Sequence, residues 1–222
     1  MAGLMQKADL YLQLRDDIRR RRWPAGRALK QQELADYYQT SRIPVREALA
    51  RLLAEGWLVS AGKASLMVPP LSAGEAQELC LIRSQLEPLA LRQALPQLNQ
   101  AILGAAEDCL NAADAAAHDP LLQGELNWQF HQLLYQPCGM PTLLQLLQQL
   151  HLKVAMYLGF QQAELGYADK SAAEHRALLQ HLRQGRHAAA LELLQQHISE
   201  AAIELQQHLQ HSGDKRSCNQ CL

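Results

Sequence analysis

Aromatic residues are scarce, at 5% of the 222 residues. With so few aromatics beside abundant leucine, alanine and glutamine, the composition favours helices. Long apolar runs are missing too, and no stretch approaches the ~18 residues of a membrane span. The first residues show no basic segment leading into an apolar core and a cleavage site, so no secretion signal is read there. Cysteine is present in an odd number, five, scattered along the chain, which is not a disulfide framework. Cys218-Asn219-Gln220-Cys221 has zinc-finger spacing but no second pair to complete it. A reducing, cytoplasmic setting is the expectation. Excess charge of one sign is also lacking overall, with a net charge of −1.

Leucine, alanine and glutamine dominate what is there, and they favour helices. The 48% apolar content is enough for real cores, and the length suits one or two domains. The small net charge hides an asymmetry. Residues 1–70 carry 12 Lys and Arg against 7 Asp and Glu, whereas residues 71–222 carry 9 against 15. A basic front on an acidic body points to a polyanionic partner for the front.

The stretch Ser41-Arg42-Ile43-Pro44-Val45-Arg46-Glu47-Ala48-Leu49 organises the basic half. Ser41 is placed to cap a helix with its hydroxyl, and Pro44 suits a first turn, where its missing N–H costs nothing. Val45, Leu49, Leu52 and Leu53 recur at helical spacing. Arg42 and Arg46, four apart, share a face near the helix start. A dry back and a basic leading edge are what a DNA recognition helix needs. They also fit an amphipathic helix with two solvated arginines.

Around this stretch, residues 8–22 read as a first helix ending in Arg19-Arg20-Arg21-Arg22, with a turn at Trp23-Pro24-Ala25-Gly26. Leu29 to Tyr38 reads as a second helix, and Gln39-Thr40 as a tight turn. Helix, turn, helix is a DNA-binding unit. The third helix stops at Gly56. Trp57–Ser60 and Ser65–Val68 then read as two short strands, a wing with Lys63 at its tip near DNA. Gln32-Glu33-Leu34-Ala35, the Ser41–Leu49 stretch and Leu52-Leu53-Ala54-Glu55-Gly56-Trp57-Leu58 together resemble the winged helix-turn-helix of the GntR family of bacterial transcription regulators. The resemblance implies that Ser41, Arg42 and Arg46 contact operator DNA, joined by Gln32 at a position often held by arginine. The wing departs from the family, which usually has an Arg-Gly pair before the final valine.

Pro69-Pro70-Leu71-Ser72 is a stiff linker, and Ser72 with Glu75 reads as a capping box. Beyond it lie about six helices, over 73–95, 97–117, 120–136, 141–161, 170–184 and 187–211, expected to pack as an antiparallel bundle. The expected fold is therefore mostly α: an N-terminal winged helix-turn-helix over 1–70, a helical bundle over 71–211 and a disordered tail over 212–222.

Asn127 and His131 share a helix face, and His175 and His197 fall on the last two bundle helices. If all four point inward, three imidazoles and an amide oxygen converge, a plausible transition-metal site with positions open for water or a small anion. The competing reading is that these histidines are ordinary surface or satisfied residues.

Arg83 with Leu86-Glu87-Pro88, then Asn127-Trp128-Gln129-Phe130-His131, then Glu174-His175, then His197, resembles the FCD effector-binding domain of the FadR subfamily. That resemblance implies a divalent transition metal, zinc or nickel foremost, held by Asn127, His131, His175 and His197. It implies a small carboxylate effector over the metal, with Arg83 as its partner, and it argues against a fatty-acyl ligand. Asn127 stands where the metal-binding members more often have aspartate. An i,i+4 salt bridge from Arg83 to Glu87 is the structural alternative. The whole reading is a homodimeric regulator that binds a double-stranded DNA operator. A metal-dependent hydrolase using the histidines is the rival from another class.

Overall fold

The computed structural model describes residues 2–62, 65–70, 72–165 and 168–218. The chain divides into two compact units, Met1–Leu71 and Ser72–Leu222.

Among the described residues the first unit holds three helices, α1 (Ala2–Arg19), α2 (Gln31–Tyr37) and α3 (Arg42–Ala54). Three two-residue strands, β1 (Ala28–Leu29), β2 (Val59–Ser60) and β3 (Leu66–Met67), form an antiparallel sheet in the order β1-β3-β2. Met67 pairs with both Ala28 and Val59, and Leu66 with both Leu29 and Ser60. The wing hairpin is thus β2 and β3, and β1 adds a strand that periodicity did not reveal. Leu29, read as the start of the second helix, lies in that strand and is buried, and the helix begins at Gln31. Leu14, Leu34, Val45, Leu52, Trp57 and Leu58 make the core, each almost fully buried. A polar clasp ties α1 to α2: Trp23 Nε1 donates to Tyr38 Oη at 2.9 Å, and Tyr38 Oη donates to Asp17 Oδ2 at 2.7 Å.

Among the described residues the second unit has six α-helices: α4 (Ala73–Ala94), α5 (Gln100–Ala115), α6 (Pro120–Tyr135), α7 (Pro141–Leu165), α8 (Ala168–Arg183) and α9 (His187–Cys218). Their starts follow the sequence. Ser72 Oγ accepts from the Glu75 N–H, Asn99 from Ile102, and Asp119 from both Leu121 and Leu122. These bonds satisfy donors that a first helical turn leaves free. Gly139 and Gly185, at φ 69° and 67°, let the chain reverse where a side chain would be strained. Helix α9 continues past His211 to Cys218, into a stretch read from the sequence as tail. Helix α4 packs on α9 and α7, α5 on α6 and α8, α6 on α7, and α8 on α9. The core, around Leu91, Phe130, Leu134, Leu147, Leu178 and Leu194, fixes the inward faces of α6, α8 and α9. No helix among the described residues is long and apolar enough to cross a membrane.

Candidate functional site

In the first unit, α3 buries Val45, Ala48, Leu49 and Leu52 and leaves Arg42, Ile43 and Arg46 exposed. Burial of one stripe therefore dictates which side the arginines occupy. Neither guanidinium has a hydrogen-bond or ion-pair partner among the described residues, and this sets them apart from most of the unit's other arginines. Arg22 pairs with Asp17 at 3.3 Å, Arg27 with Glu33, and Arg51 with Glu55 at 2.9 Å. Ser41 is the residue before the helix, in extended backbone, but its side chain makes no capping hydrogen bond. That corrects the capping role read for its hydroxyl, which stands exposed at the helix start with the first-turn N–H groups. Gln32 is exposed and donates to Asp36 Oδ1 at 2.8 Å. Lys63 lies outside the described residues.

In the second unit, α6 presents Asn127, His131 and Tyr135 at four-residue spacing, one above another on a single face. His131, His175 and His197 are all buried and come together from α6, α8 and α9. His175 Nε2 lies 3.1 Å from His131 Nε2 and 3.2 Å from His197 Nε2. The outer nitrogens are held from behind. Tyr135 Oη donates to Glu87 Oε2 at 2.7 Å and lies 2.9 Å from His131 Nδ1. A phenol has one hydrogen; with that hydrogen given to Glu87, Tyr135 accepts from His131 Nδ1–H. His197 Nδ1 lies 2.6 Å from Glu174 Oε2 and donates to that carboxylate. In their neutral forms His131 and His197 therefore both aim Nε2 lone pairs at His175. This tautomer assignment follows from the partners.

Hydrogen bonding cannot satisfy such a cluster. A neutral imidazole nitrogen carries either one hydrogen or one lone pair in the ring plane, so His175 Nε2 serves one neighbour at most. A cation serves all three. Metal–imidazole distances of about 2.0–2.1 Å with angles between about 90° and 109° put ligand nitrogens roughly 2.9–3.4 Å apart, and both separations fall in that range. Asn127 Oδ1, a turn before His131, is buried and has no hydrogen-bond partner. An unpartnered buried oxygen is costly, and a cation would relieve that as well. The residues fit a metal.

Electrostatics agree. Burial first, then the neighbouring His175 and His197, holds His131 well below the ordinary imidazole value, and burial with His197 does the same for His175. These side chains are kept as neutral ligands. Burial, then Glu87, pushes the Tyr135 phenol well above its usual value, so it stays protonated and able to donate. Arg83 is buried, with Nε bonded to Glu87 Oε1 at 2.5 Å. Burial opposes its charge, but Glu87 outweighs that and holds it protonated. Of the two readings for Arg83, the structure displays the ion pair.

Residues 6–68 match the family model for bacterial regulatory proteins of the gntR family, and residues 78–200 match the FCD domain. The chain belongs to the GntR family. Its relatives support this along most of their length. An HTH-type transcriptional regulator of Bacillus subtilis, YdhC, is 25% identical over 209 residues, covering 90% of this chain and 89% of its own. A GntR-family transcriptional regulator from Pseudomonas syringae pv. tomato is 30% identical, with TM-score 0.57 over 95% of this chain and 88% of that one. Escherichia coli McbR/YncC, 22% identical, shares the fold with TM-score 0.72 over 90% of this chain and 98% of that one. This GntR-family protein is thus a DNA-binding transcription regulator with an FCD domain. The charge asymmetry between its halves finds its reason in the family.

Sequence reasoning brought His131, His175 and His197 together correctly but missed what stands behind them. Tyr135 was visible only as the residue four after His131, and Glu174 only as the neighbour of His175.

Proposed function

We propose that this regulator's operator binding is controlled from the histidine cluster by a metal ion and a small organic acid. The observation that carries this is the convergence of three buried imidazole nitrogens that cannot satisfy one another. His131, His175 and His197 would hold the ion, with Asn127 Oδ1 as a fourth donor. When bound, a divalent metal with open coordination positions supplies a Lewis-acid docking point for a carboxylate. With Asn127 neutral in place of an aspartate, the four donors bring no negative charge of their own, which favours an anionic occupant of the remaining positions. Zinc and nickel both suit imidazole donors. The relatives are described as transcription regulators, which favours ligand sensing over the hydrolase alternative.

On the DNA side, Arg42 and Arg46 are proposed to reach base edges or phosphates, with Ser41 and the first-turn N–H groups on a phosphate. Gln32 and Lys63 are proposed as flanking contacts. A homodimer would place two copies of α3 on a two-fold symmetric operator. A small acid changes operator affinity only if it binds one arrangement of the protein more tightly than another.

Elemental analysis of purified full-length protein tests the site. About one equivalent of zinc or nickel per chain is expected, lost when His131, His175 and His197 are all changed to Ala. Metal-free protein that takes up neither ion on incubation would contradict the proposal.

A further inference from the structure

We propose that Tyr135 is the positioning residue of the histidine cluster, and that it ties the cluster to the buried Arg83–Glu87 pair on α4. The inference rests on the metal reading for its purpose but not for its geometry. Four buried groups form one chain. Arg83 Nε donates to Glu87 Oε1 at 2.5 Å, Tyr135 Oη donates to Glu87 Oε2 at 2.7 Å, and Tyr135 Oη accepts from His131 Nδ1 at 2.9 Å. Direction runs through the chain because its ends are fixed. Arg83 has hydrogens to give and no lone pair to offer, so it anchors Glu87 as a carboxylate acceptor. A carboxylate acceptor takes the single phenolic hydrogen. The phenol oxygen is left only lone pairs for His131, so Nδ1 carries the ring hydrogen. Nε2 is then bare, and Nε2 faces His175 3.1 Å away.

Without the hydroxyl, His131 loses the acceptor that selects this tautomer, and a ring with its hydrogen on Nε2 is no ligand. Outer partners of ligating histidines commonly matter 10–100-fold in metal affinity. His197 is held differently, by direct contact of Nδ1 with Glu174, so loss of Tyr135 leaves that ligand in place. Helix α4 is the first element after the linker, beginning at Ala73. A charge held among the imidazoles would polarise the His131 Nδ1–H bond, and the hydrogen bonds through Tyr135 lead from there to Glu87. The hydrogen-bond chain thus links His131 on α6 to Glu87 and Arg83 on α4.

The test uses full-length protein stripped with a chelator, with nitrogen NMR of the histidine rings as one readout and zinc affinity by chelator competition as the other. The unmodified protein is expected to show His131 as the Nδ1–H tautomer. Tyr135→Phe, which keeps the ring, is expected to populate the Nε2–H tautomer of His131, leave His197 unchanged and weaken zinc binding at least 10-fold. His131 found with its hydrogen on Nε2 in the unmodified protein overturns the proposal, even if the variant does not fold. A variant with an unchanged tautomer and zinc affinity within twofold overturns it too. Absence of zinc uptake by the unmodified protein removes the metal reading, while the ring spectrum still decides for or against Tyr135.

Discussion

Arg46 shows most simply what burial and exposure leave to a single side chain. It stands on the wet side of α3 without a partner among the described residues, so truncation removes nothing from the fold. Arg46→Ala is expected to melt within about 0.5 kcal/mol of the parent, as unengaged surface changes do. It is expected to lose specific operator binding by about 1–3 kcal/mol if it reads a base. Anisotropy titration on operator DNA checks this, and unchanged affinity would count against the role. The buried imidazoles make the opposite case. His131 and His175 are held below the free imidazole value of about 6.5, so as pH falls through that value the unfolded chain takes up protons that the native one refuses. Stability is then full above about pH 6.5 and declines below it, by up to about 1.4 kcal/mol per pH unit for each group. Urea melts of chelator-stripped protein should show a lower midpoint at pH 5.5 than at 7.5. His131→Gln with His175→Gln should flatten that slope, and an equal slope in the variant would exclude these residues as its source.

At the scale of elements, most of the fold was legible because local signals agreed. The helix expected over 120–136 is α6, with the Asp119 side chain capping it and Pro120 in its first turn. The breaks expected between 136 and 141 and between 184 and 187 contain Gly139 and Gly185, and both adopt left-handed backbone. The apolar stripe of α3 fixed where its arginines point. Strand β1 was not legible, because two residues have no period and their partner, β3, lies almost forty residues on. The beginning of α1 at Ala2 and the end of α9 at Cys218 also escaped, since neither stretch carries an apolar stripe. The relay behind the histidines was hidden for a related reason: nothing local says that Tyr135 on α6 meets Glu87 on α4. Two non-glycine residues of the first unit, Arg21 and Gln39, adopt left-handed backbone. Gln39, between α2 and α3, has φ 50°, a conformation that costs an ordinary residue roughly 1 kcal/mol and glycine little. Gln39→Gly is expected to slow amide hydrogen exchange in α2 and α3. Faster exchange would show that the Gln39 side chain contributes more than its backbone costs.

For the whole molecule, two units of opposite charge balance divide the work. The basic one carries α3 and the acidic one the histidine cluster, and the linker Pro69-Pro70 lies between them in sequence. If the cluster binds a cation in the native state alone, zinc at about 100 times its dissociation constant adds about 2.7 kcal/mol of stability. A rise in melting temperature with zinc, absent after the triple histidine-to-alanine change, would show it. The most direct measurement of the account is operator affinity in one salt condition, with stripped protein, with zinc, and with zinc plus a panel of small carboxylates. A severalfold change on adding zinc and one of the acids, abolished by the triple change, is the expected result. Operator affinity that is the same in every condition, for both proteins, would contradict control from the histidine cluster.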